Sequence, residues 1–103
     1  MKKLVRDRIP EIIKNDNLDA VFYVADSEEY YKVLIEKLNE EVREFIESNN
    51  VEELADIMEV VYALAEYNRL DEIKLNELRN DKAIKKGKFK NRIVLKEVLK
   101  SFK

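Results

Sequence analysis

Residues 26–68 read DSEEYYKVLIEKLNEEVREFIESNNVEELADIMEVVYALAEYN, and this stretch decides the fold. Asp26 followed three residues later by Glu29 is the pattern of a helix start in which each side chain satisfies a free backbone amide. Behind it Leu34, Leu38, Val42, Phe45 and Ile46 recur at helical steps as far as Ser48. Asn50 with Glu53 repeats the start signal, and Leu54, Ile57, Met58, Val61, Leu64 and Ala65 carry a second helix to about Asn68. So short a gap between two amphipathic runs predicts an antiparallel helical hairpin.

Upstream, Pro10 suits the first turn of a short helix through Ile12 and Ile13, because its missing amide is unused there. Ala20 to Ala25 is β-prone but lacks a partner strand, and is read as an extended connection. Downstream, a third helix is expected from Asp71 or Glu72 to Lys86, with Gly87 taking a left-handed cap conformation. The tail holds Ile93-Val94-Leu95 and then a weakly amphipathic stretch through Val98, Leu99 and Phe102. With no internal repeat and no linker, residues 1–103 are read as a single all-α domain built on the hairpin.

A chain of 103 residues has a modest core, since folding at this size hides only roughly 65% of the surface of the unfolded chain. The 41% of charged residues and the single Gly and Pro favour long helices with solvated outer faces. The run Val60 to Ala65 departs from that pattern by being apolar all round, so a second copy of the chain is expected to cover it, as a homodimer or a homotetramer. Twenty Lys and Arg against 22 Asp and Glu give a net charge of -2, too little positive charge to hold nucleic acid as a primary partner or an anionic membrane. The charged N-terminus and the lack of a long apolar run point to a soluble, cytoplasmic protein. The absence of Cys and His removes disulfides, thiolate nucleophiles, Cys/His zinc sites and histidine-based di-iron sites together. Chemistry is left to carboxylates, lysines, hydroxyls or a hard cation.

The carboxylates are patterned. Glu41 lies on the apolar stripe between Leu38 and Phe45, and Glu44 follows three residues on. An ionised carboxylate facing inward must be paired, protonated or bound to a cation. Glu53 and Asp56 repeat the spacing on the next helix, and the hairpin can bring both pairs to one point. Oxygen ligands of that kind suit magnesium, with manganese a substitute. The competing reading makes these residues solvated, with Glu53 capping its helix and Glu40 or Glu44 paired with Lys37 or other neighbours.

The strings Lys37-Leu38-Asn39-Glu40-Glu41-Val42-Arg43-Glu44-Phe45 and Glu52-Glu53-Leu54-Ala55-Asp56-Ile57-Met58-Glu59-Val60 resemble the paired Glu-x-x-Glu and Glu-x-x-Asp motifs of the MazG-like and phosphoribosyl-ATP pyrophosphohydrolase-like all-α superfamily. Lys3 to Ile13, and Leu78-Arg79 through Lys82 to Lys86-Gly87-Lys88-Phe89, are similar to one branch of it. The chain departs in its tight turn, with eight residues between Glu44 and Glu53, and in a Lys-Gly-Lys-Phe turn where relatives more often have Arg-Gly-Gly-Phe.

The resemblance implies hydrolysis of a nucleotide between its α and β phosphates, with magnesium held by Glu41, Glu44, Glu53 and Asp56. Glu44 and Glu53 are the candidates for accepting the proton of the attacking water. Lys82, Lys85 and Lys86, with Arg79 one turn earlier, are candidates for binding the triphosphate, and equally read as solvated cations at a helix end. Arg6 and Arg8 are in the same case as those lysines: they belong to the matching N-terminal string, and equally read as surface partners of Asp7 or Glu11. Tyr62 and Phe89 are read as core more readily than as base-stacking residues. House-cleaning of nucleotides is favoured by the N-terminal string. Phosphoribosyl-ATP hydrolysis and a non-catalytic helical interaction module are the alternatives.

Overall fold

A computed structural model describes residues 2–101 and contains, among them, four helices and no strand. They are α1 (Ile9–Asn15), α2 (Ser27–Ser48), α3 (Glu52–Tyr67) and α4 (Glu72–Lys86). The long helices start where side chains can cap them. Asp26 accepts from the Glu29 amide at 2.8 Å, and Asp71 does the same for Lys74 at 2.8 Å. Only half of the reciprocal pattern forms at α2, because the Glu29 carboxylate accepts from the Tyr23 hydroxyl instead.

Asn50 Oδ1 accepts from the Glu52 amide at 3.0 Å, so α3 opens with its first turn held by a side chain two residues back. Asn49 ends α2 in the left-handed region (φ 54°, ψ 22°), a conformation Asn tolerates better than most residues, and this turns the chain back within three residues. Gly87 corrects the expected cap. Its φ of 84° is positive, but its ψ of -178° is extended, a combination open almost only to glycine, so the chain leaves α4 straight rather than curling over its end.

Helix packing runs from α2 to α3 and from α3 to α4. Leu34 is the best-buried side chain at 1% exposure, and Val60 and Ala65 are the buried apolar residues of α3. The segment from Lys3 to Arg6 crosses the hairpin, with Lys3 Nζ 3.9 Å from Glu40 and Arg6 Nη2 2.6 Å from Asp56. Residues 20–25 lie in neither helix nor strand, and residues 93–101 have no regular structure. Phe102 lies outside the described residues.

The chain buries little of itself. Its accessible surface is 9966 Å², against about 6,100 Å² for a compact monomer of its mass. Its radius of gyration is 19.0 Å, against about 13 Å for a compact domain of this length. Leu54, Met58 and Val61 form an exposed stripe at helical spacing on α3, and Val42 and Ile46 form another on α2. Among the described residues no helix is long and apolar enough to cross a membrane.

Candidate metal centre

The centre lies where the two long helices face each other. Leu34, Leu38, Glu41 and Phe45 share one face of α2, and Glu41 is therefore drawn into the apolar seam with only 5% of its surface exposed. On α3, Asp56 and Val60 are one turn apart, so the residue that buries against α2 carries its carboxylate neighbour to the same seam. Glu53 precedes Asp56 by three residues and falls beside it.

One oxygen from each of Glu41, Glu53 and Asp56 lies within 4.8 Å of the others. Glu41 Oε1 is 3.1 Å from Lys37 Nζ, which also reaches Glu40 at 3.3 Å. Glu41 Oε2 and Glu53 Oε2 are buried without a hydrogen-bond donor. Buried acceptors are rarely left in that state, because each forfeits its bonds to water for nothing in return. The expectation that Glu53 caps its helix therefore fails. Its side chain turns to the other carboxylates, and Asn50 does the capping.

The crowding is visible in the acidities. Burial first, then the charge of Glu44 and the adjacent carboxyls of Glu41 and Asp56, push Glu53 up from an ordinary 4.5 to about 7. The charge of Glu41 and partial burial raise Glu44. Burial draws the Lys37 ammonium down, but bonds to Glu41 and Glu40 outweigh it and leave its pKa raised.

A hard divalent cation answers these features together. Oxygens on one magnesium ion lie about 3.0 Å apart when adjacent and about 4.2 Å when opposite, so the three carboxylates would draw closer together to hold it. The donor set is all oxygen, and the ion would satisfy the orphaned acceptors and relieve the repulsion. Glu44, half-buried one turn beyond Glu41, stands outside this set of three.

The other expected site residues are placed elsewhere or left unlinked. Lys82, Lys85 and Lys86 are exposed on α4, and Arg79 Nε lies 3.5 Å from Asn76 on its own helix. Among the described residues no ion pair joins these four to the carboxylates. Tyr62 is partly buried and its hydroxyl accepts from Asn76 at 3.3 Å, which makes it a packing residue, whereas Phe89 is fully exposed. Arg8 pairs with Glu11 as expected, at 3.3 Å. Arg6 does not pair locally. It reaches Asp56, 50 residues along the chain, and the hydrogen bond to Asp56 raises its own pKa. No local pattern in the sequence signals that contact, while the Lys37–Glu41 pair was readable from its four-residue spacing. No protein-family model, curated protein or solved structure matches the chain.

Proposed function

We propose that this protein is a magnesium-dependent nucleotide pyrophosphohydrolase of the MazG-like kind, acting on the cytoplasmic nucleotide pool. The observation that carries the reading is Glu41, a carboxylate in the hairpin seam with one oxygen lacking any donor, facing Glu53 and Asp56. Such an arrangement is costly as a purely structural feature and useful as a cation site. The paired motifs, in order on the two helices of a hairpin, supply the reaction class.

In this reading Glu41, Glu53 and Asp56 hold the ion, and Lys37 fixes the rotamer of Glu41 through Oε1. The bound ion supplies charge neutralisation on phosphate oxygens and acidification of water. Water adds across the bond between the α and β phosphates, giving a monophosphate, pyrophosphate and one proton. Glu44 lies outside the three ligands, one turn beyond Glu41, which leaves its carboxylate to accept that proton.

A second copy of the chain completes the domain in this proposal. The exposed stripes of α2 and α3, and a surface roughly 3,900 Å² larger than that of a compact monomer, support it. The same stripes favour the alternative of a non-catalytic helical interaction module. The deciding experiment incubates the protein with a panel of canonical and damaged nucleoside triphosphates and phosphoribosyl-ATP, with and without magnesium, and resolves monophosphate, pyrophosphate and orthophosphate. Magnesium-dependent monophosphate and pyrophosphate, lost in Glu41→Gln, are expected. No turnover of any nucleotide, with no effect of magnesium on stability, favours the interaction module.

A further inference from the structure

One side chain from outside the hairpin reaches the carboxylates. Residues 2–6 carry no regular structure, and from them Arg6 Nη2 donates to Asp56 Oδ1 at 2.6 Å. The guanidinium also lies in the fields of Glu59 and Glu41. Asp56 is one of the three residues whose oxygens converge, so Arg6 holds a carboxylate that a divalent ion there would also use. Two cations held on one carboxylate repel each other, and the ion has two further ligands to keep it in place.

Resting on the metal-dependent reading above, we propose that Arg6 is a phosphate-binding residue. It leaves Asp56 when the ion loads and then holds phosphate oxygens of the nucleotide. Three features support the exchange. The guanidinium fork is matched to phosphate and can donate two parallel bonds. The backbone that carries it has no helix to hold it, and the side chain is 55% exposed, which leaves it a path to turn. The cations of α4 form no ion pair with the centre among the described residues, so Arg6 is the guanidinium at hand beside the ion. As metal-free counter-ion and metal-loaded phosphate clamp, it keeps the site's charge balanced in both states.

The test is calorimetric and independent of turnover. Magnesium is titrated alone, and inorganic pyrophosphate is titrated at saturating magnesium, into the wild type, Arg6→Gln and Arg6→Lys. Arg6→Gln is expected to bind magnesium as tightly as the wild type or severalfold more tightly, and pyrophosphate about tenfold more weakly. Arg6→Lys, which keeps the charge and loses the fork, falls between. Unchanged pyrophosphate affinity in Arg6→Gln overturns the proposal, as does a parallel loss of magnesium and pyrophosphate binding, the mark of a merely structural ion pair. A wild type that takes magnesium but no pyrophosphate also overturns it. A wild type that takes no magnesium overturns instead the reading on which it rests, and the first titration shows this separately.

Discussion

Lys37 Nζ lies 3.1 Å from Glu41 Oε1, and Glu41 Oε2, on the same buried carboxylate, has no donor at all. The seam therefore pairs one oxygen of that carboxylate and leaves the other to a proton shared with Glu53 or to a bound cation. Lys37→Met removes the only cation paired with Glu41 among the described residues. A buried charge stripped of its partner costs about 3 kcal/mol, so the metal-free variant is expected to unfold at markedly lower urea. Magnesium should return part of the loss by taking over as counter-ion. Equal losses with and without magnesium would show that the ion does not bind at Glu41.

Glu53 makes the metal-free fold sensitive to pH. Its folded-state pKa of about 7 stands above the ordinary 4.5, so the folded chain holds a proton that the unfolded chain releases. That contribution to stability is complete below pH 4.5 and is lost as pH rises to about 7. The metal-free melting temperature should fall across this window, and Glu53→Gln should flatten the fall. A bound cation reverses the direction, because it needs the ionised carboxylate. Magnesium binding near pH 6.5 is therefore expected to release protons, read as a binding heat that changes with the ionisation enthalpy of the buffer. A heat independent of the buffer sinks the assignment of Glu53 as a ligand.

The helices could be read because their signals are local. Asp26 and Asp71 cap the turns that follow them, and the apolar spacing of α2 places Glu41 inward without any knowledge of α3. Two features could not be read that way. Glu53 stands three residues after Asn50, a spacing shared by a capping box and a metal ligand, and only the burial of its carboxylate in the seam separates the two. Arg6 meets Asp56 across 50 residues of chain, through an irregular segment whose course no periodicity encodes. The α4 lysines matched a motif by order along the chain, which says nothing of where α4 points relative to the hairpin.

Gly87 fixes how the chain leaves α4. A side chain there would meet nothing within 4 Å, so space is no obstacle, but φ of 84° with extended ψ is strained for any L residue. Gly87→Ala is expected to cost about 1 kcal/mol, spent locally by fraying the last turn. Faster amide exchange confined to Ala83–Lys88, with the α2–α3 hairpin unchanged, is the expected result. A lowered global stability would instead mean that the end of α4 is packed against a second copy.

The exposed stripe on α3 gives the sharpest test of assembly. Met58 stands 52% exposed between Leu54 and Val61, one turn from each, on the face opposite Val60. A charge at that position costs the lone chain little, since the side chain is already wet. At the centre of an interface the same charge loses its water without a partner, at a cost of several kcal/mol. Met58→Glu is therefore expected to raise the dimer dissociation constant by at least about a hundredfold, which corresponds to about 2.7 kcal/mol, while helicity is retained. Sedimentation equilibrium of the two proteins reads the shift directly. If the wild type is itself a monomer at micromolar concentration, or Met58→Glu assembles as the wild type does, the stripe is not the interface. The residual surface would then have to be covered by the tail or by another protein.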